Sequence, residues 1–109
     1  MSEAASQNSA LAIIKQAFDS AVRGELGYPE LAMIGKVLSD AGNFEMATYL
    51  YRTWLSNTKS PMAYVVHADL GDVLIKASDF AGAKDAFKSS LGLNGAYERA
   101  RVSLAKLPG

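Results

Sequence analysis

LAMIGKVLSDAGNFEMATYLYRTWL, Leu31 to Leu55, reads as two short amphipathic helices folded back on each other, and its pattern recurs 36 residues further on. That shift places Leu31, Ile34, Gly35 and Leu38 on His67, Leu70, Gly71 and Leu74. It also places Phe44, Ala47, Tyr51 and Leu55 on Phe80, Ala83, Phe87 and Leu91. Eight positions aligned in one register, seven of them alike in character and His67 the exception, mark a structural repeat, and apolar residues spaced three and four apart make it helical. Within the unit, Gly42 supplies the left-handed residue that ends the first helix, and Asn43 is suited to cap the second. A loop so short forces the two helices to lie antiparallel in close contact, and the small side chains of Gly35 and Ala47 are expected to let them approach.

Toward the N-terminus, residues 1–8 read as a flexible polar leader, followed by Ser9 as a helix cap. The helix then runs to about Arg23. Leu11, Ile14, Phe18, Ala21 and Val22 form one apolar stripe, expected to be buried, while Lys15, Gln16, Asp19 and Arg23 face away. A shift of 33 aligns that stripe with Phe44, Ala47, Tyr51, Trp54 and Leu55, so residues 9–23 resemble the second helix of a repeat without its first. Gly24 and Gly27 frame a turn, and Pro29 occupies the first helical position of the repeat spanning 29–56.

Toward the C-terminus, Ser60-Pro61 offers a cap and first-turn proline for a second repeat over 61–91, in which Ser78-Asp79 replaces Gly42-Asn43. Gly92 and Gly95 break the chain before a capping helix over 96–107. There a shift of 34 aligns Leu70 and Gly71 with Leu104 and Ala105. The expectation is one all-α domain over 9–109, of about six helices.

Half of the 109 residues are hydrophobic and a fifth charged, a globular composition for one domain. Eleven Lys plus Arg balance eleven Asp plus Glu, which argues against a nucleic-acid function because no basic surplus exists to release counterions. There is no cysteine, hence no disulfide and no thiolate nucleophile. Lys15 interrupts the apolar run LAIIKQAF, and neither a signal peptide nor a membrane span is expected. A cytoplasmic location is the default expectation.

Helix-turn-helix units with these residues resemble tetratricopeptide repeats: Leu31, Ile34-Gly35, Leu38, Gly42, Phe44, Ala47 and Tyr51 in one, and Leu70-Gly71, Leu74, Asp79-Phe80, Ala83 and Phe87 in the next. The resemblance covers Leu31 to about Leu107. His67 and Arg101 depart from it where a large apolar residue is common, as do Trp54 and Ser90 where alanine is common. It implies a short solenoid of stacked hairpins that binds a peptide or protein, without catalysis, in a groove lined by the first helix of each repeat. The groove candidates so implied are Met33, Lys36 and Asp40, then Val65, Asp69, Asp72 and Lys76, and finally Arg99, Val102 and Lys106. The family's carboxylate-clamp positions fall on Ala32, Lys36, Asp69, Arg99 and Ser103, where Asp69 would repel an acidic tail. A weaker similarity, over Leu50 to Leu74, is to the repeat segment of bacterial proteins similar to O-linked N-acetylglucosamine transferases. It implies only the recognition arm of such a protein. Self-association is a third expectation, because two whole repeats leave end faces to cover.

Chemistry-bearing residues are sparse. His67 is the single histidine, a poor basis for a metal site. Asp69 and Asp72 lie three apart on one helix face, but Lys36 and Lys76 are expected as their neighbours and no nucleophile accompanies them. The glycines form no phosphate loop. Tyr51 and Trp54 are expected to pack between units, with Tyr49 pointing elsewhere. No cofactor or metal is expected.

Overall fold

The computed structural model describes residues 3–108, with side chains from residue 9 onward. The described residues form six helices and no strand: α1 (Glu3–Val22), α2 (Tyr28–Asp40), α3 (Phe44–Asn57), α4 (Ala63–Lys76), α5 (Phe80–Leu93) and α6 (Glu98–Ala105). Helices α2–α3 and α4–α5 are antiparallel hairpins; α3 packs on α4, α5 on α6, and α1 on α3 and α2. Stacking in one direction gives a body of 48 × 28 × 17 Å.

The two hairpin turns repeat bond for bond. Gly42 (φ +80°) and Ser78 (φ +61°) both take the left-handed conformation that ends a helix. The Asn43 amide donates to the Leu38 carbonyl at 2.8 Å, and the Asp79 amide donates to the Leu74 carbonyl at 2.8 Å. Each following side chain then caps the next helix: Asn43 Oδ1 accepts from the Met46 amide at 3.3 Å, and Asp79 Oδ1 from the Gly82 amide at 3.0 Å.

Packing inside each hairpin rests on a glycine and a ring. A Cβ built on Gly71 would lie 2.6 Å from Cε1 and Cζ of Phe87, and one built on Gly35 would run into the Tyr51 ring. The residue opposite each glycine is therefore an aromatic from the second helix. Ala47, expected with Gly35 to let the helices approach, is fully buried, as is its repeat equivalent Ala83, but the atoms nearest a Cβ built on each glycine belong to the aromatic side chain. The second helices bury one register, Ala47, Leu50, Tyr51 and Trp54 in α3 and Ala83, Ala86, Phe87 and Ser90 in α5. Helix α1 follows it with Ala17 and Ala21 buried and Ile14 and Phe18 packed against the core. Where alanine is common in the resembled repeats, Trp54 Nε1 donates to the Leu26 carbonyl at 2.7 Å and Ser90 Oγ donates to the Tyr64 carbonyl at 2.7 Å. The first bond ties α3 to the loop that leads into α2, and the second ties α5 to the first turn of α4.

Several boundaries differ from expectation. Helix α1 begins at Glu3, so most of the expected leader is helical and Ser9 lies inside; residues 1 and 2 are outside the described residues. Alanines 4, 5, 10 and 12 supply the propensity that carries the helix past Ser9. Leu11 is 62% and Val22 59% exposed, against the expected stripe, because no helix among the described residues covers them. Helix α4 begins at Ala63 rather than Pro61, since Ser60 closes a turn in which its Oγ accepts from the Met62 amide at 3.1 Å. Helix α5 continues through Gly92 to Leu93, and α6 begins at Glu98 after Asn94 Oδ1 accepts from the Ala96 amide at 3.2 Å.

Candidate binding groove

Stacking the hairpins brings α2 and α4 side by side, and their shared face forms a groove of about 290 Å³. Helix α2 contributes Tyr28, Ala32, Lys36, Ser39 and Asp40, and α4 contributes Asp69, Asp72, Val73 and Lys76. Spacings of three and four keep each set on one helix face. Tyr51 reaches the same groove from α3 because Gly35 leaves room for its ring.

Charge in the groove is largely neutralised internally. Lys36 Nζ lies 2.8 Å from Asp40 Oδ2, one turn away on α2. Arg99, from α6, binds both carboxylates of α4: its Nη2 is 2.8 Å from Asp69 Oδ1 and also contacts Asp72 Oδ2. Its Nη1 donates to the Tyr97 hydroxyl at 3.3 Å, and the Tyr97 ring meets Tyr64 edge to face at 4.8 Å. Lys76 Nζ donates to the Ser39 hydroxyl at 3.4 Å, and its charge adds to that of Lys36 on Asp40, without an ion pair of its own among the described residues. Arg99 is thus the partner of Asp69 and Asp72, where Lys36 and Lys76 were the expected neighbours.

Burial sets the protonation behaviour. Desolvation raises the Asp69 carboxyl above its ordinary value despite Arg99 beside it. Desolvation followed by the Asp69 charge raises the Tyr28 phenol, and desolvation raises Tyr51 further. For Arg99, burial pulls the guanidinium down, but hydrogen bonds to Asp72, Tyr97 and Asp69 outweigh it and the net displacement is upward. Asp40 is lowered by its hydrogen bond from Lys36.

Of the candidates implied by the sequence, Lys36, Asp40, Asp69, Asp72 and Lys76 line the groove together, and Arg99 joins through its ion pairs. Met33 lies outside the lining, 58% exposed beside Val37, since one residue on from Ala32 turns about 100° around the helix. Val65, Val102 and Lys106 also lie outside it. Sequence reading missed Tyr28, Ser39, Tyr51 and Val73 as lining residues. Tyr28 sits one turn before Ala32 and two before Lys36, a signal obscured by starting α2 at Pro29.

The larger surface hollow, about 700 Å³, lies elsewhere, over the outer side of α3 among Phe44, Thr48, Tyr49 and Arg52. His67, half-buried and held below its ordinary pKa by desolvation, borders a depression with Arg52 and Asp85. Among the described residues no group of three or more His, Cys, Asp or Glu side chains could hold a metal ion. No helix among them is long and apolar enough to cross a membrane. Comparison with protein-family models, with curated proteins and with solved structures finds no match.

Proposed function

We propose that this chain is a non-catalytic, cytoplasmic protein-interaction module of the tetratricopeptide type, holding an extended peptide in the groove between α2 and α4. The observation that carries the reading is convergence: five candidate side chains from successive first helices line one groove with two tyrosines. Phenol rings and a few placed charges suit a peptide, offering apolar contact along its backbone and polar selection of its side chains. The groove ligand in this reading carries an acidic side chain directed at Lys76, the lining cation that has no carboxylate within ion-pair distance among the described residues, Asp40 acting on it only at longer range.

The test is selection from a displayed random-peptide library against the wild type and against Lys36→Glu and Lys76→Glu, both exposed positions whose replacement leaves the core intact. Peptides enriched on the wild type should lose binding to Lys76→Glu while the melting temperature holds. Peptides that bind all three proteins equally would place recognition outside the groove. Failure of the wild type to enrich any peptide would refute a peptide-binding role.

A further inference from the structure

Helices α1, α3 and α5 share one register, yet among the described residues only α3 and α5 follow a first helix in a hairpin of their own, α1 packing instead on α3 and on the first helix of the next hairpin, α2. In α3 the strip Phe44, Thr48, Tyr51 and Leu55, and in α5 the strip Phe80, Lys84, Phe87 and Leu91, are buried or half-buried at every position but Phe80. The matching strip of α1 is Leu11, Lys15, Phe18 and Val22. No helix among the described residues covers it: Leu11 and Val22 are exposed, and Phe18 is half-buried with its ring 5.6 Å from that of Tyr49, which is itself 65% exposed. Lys15 and Asp19 are exposed, and neither has an ion-pair partner among the described residues.

The strip is complementary to itself. Its spacing of four, three and four is that of a seam between two helices. Set antiparallel about a twofold axis between Gln16 and Ala17, two such helices bring Leu11 of one copy opposite Val22 of the other, and Lys15 opposite Phe18. Asp19 of the second copy then lies within about one residue rise, 1.5 Å, of the level of Lys15, so two cross-helix ion pairs close symmetrically. A parallel pairing would instead set Lys15 against Lys15 and Asp19 against Asp19. The other helix lacking a hairpin mate is α6, but at the places of His67 and Gly71 it presents Arg101, held by Glu98, and Ala105. Ala105 would meet Phe18 where Gly71 gives way to Phe87.

We infer that α1 pairs with α1 of a second copy of this chain, antiparallel, through Leu11, Phe18 and Val22 and reciprocal Lys15–Asp19 ion pairs. The contact lies apart from the groove and does not depend on its reading. One helix pair is a small interface, so the dimer is weak, with a dissociation constant on the order of 100 µM.

Analytical ultracentrifugation of the full chain, from about 10 µM to about 1 mM, tests this. The wild type should pass from monomer to dimer. Leu11→Glu, Lys15→Glu and Asp19→Lys should each raise the dissociation constant at least about tenfold at unchanged helicity and melting temperature. Mixing Lys15→Glu with Asp19→Lys should restore dimers as heterodimers, since each position 15 then faces an opposite charge at position 19. A wild type that stays monomeric throughout, variants that dimerise like it, or a mixture that fails to associate would each overturn the inference. Assemblies growing beyond the dimer would also overturn it, in favour of α6 docking head to tail on α1.

Discussion

Gly71→Ala probes the contact on which the hairpin packing depends. The added methyl would sit 2.6 Å from two carbons of the Phe87 ring and 3.0 Å from a third. Comfortable carbon–carbon contact lies near 3.5–4.0 Å, so ring and helix must separate by about 1 Å. Phe87 is fully enclosed and has no solvent side to retreat into. Overpacking of this kind costs about 1–3 kcal/mol, and alanine returns up to about 1 kcal/mol through helix propensity. With three ring atoms in conflict, a net loss of about 1–2 kcal/mol is expected. Gly92→Ala is the control: a methyl at Gly92, also in a helix, meets nothing within 4 Å, so it should stabilise by about 0.5–1 kcal/mol. The same chemical change thus has opposite signs at two glycines of adjacent helices.

Urea unfolding followed by far-UV circular dichroism and by the fluorescence of Trp54, the single tryptophan and almost fully buried, reads both effects. In thermal melts each kcal/mol corresponds to roughly 4–8 °C. Phe87→Leu in the Gly71→Ala background should recover on the order of 1 kcal/mol relative to additivity, because the ring is the atom group in conflict. Gly71→Ala that matches Gly92→Ala in sign, or a cycle with no coupling, would refute the glycine–ring seam.

Ser78→Gly should stabilise by about 1 kcal/mol, since Ser78 holds φ +61° where the equivalent Gly42 is free of that strain; a thermal melt lower than wild type would contradict the shared turn geometry. Arg99→Gln should free α6 from α4, at about 1 kcal/mol for a half-exposed ion-pair cluster, with faster amide hydrogen exchange confined to α6; unchanged exchange there would deny Arg99 its latching role. His67 is held below 6.5 by burial, so the unfolded chain protonates first as pH falls. Its contribution is complete above that value and is lost as pH falls through the lower folded value. His67→Gln should flatten the stability decline that begins there. Asp69 has the opposite sign: its carboxyl is held above 3.8, so its contribution is present below that value and is lost as pH rises through the raised one.

The hairpins were legible in the sequence because their determinants are local or repeat at a fixed offset. Gly42-Asn43 and Ser78-Asp79 announce a turn and a cap without reference to anything distant, and Gly35–Tyr51 and Gly71–Phe87 recur together. Burial on α1 was not legible, because periodicity shows which residues could share a core and says nothing about whether a neighbour arrives: Leu11 and Val22 have the right spacing and no cover. The α1 start differs from the position Ser9 suggests because a cap residue marks a start only where the residues before it disfavour helix, and Ala4 and Ala5 favour it. The clamp of Arg99 on Asp69 and Asp72 was missed for another reason. It joins residues 30 and 27 positions apart through a long side chain whose direction the helix register does not set. The Trp54 bond to the Leu26 carbonyl likewise depends on a loop backbone group that no side-chain pattern reports.

Internal neutralisation constrains what the proposed groove would select. A ligand carboxylate seeking Arg99 would have to displace two aspartates, one of them largely buried, and leave their charges unpaired in a desolvated setting. A ligand carboxylate seeking Lys36 competes with Asp40, an exposed neighbour on the same helix, and one seeking Lys76 displaces a single hydroxyl and meets the Asp40 charge only at longer range. Acidic recognition is therefore least costly at the Lys76 end, while the Arg99 end is better suited to shape and ring contact with Tyr28 and Tyr51. It follows that binding through this groove weakens with salt at Lys76 and Lys36 and is nearly insensitive to salt at the clamp.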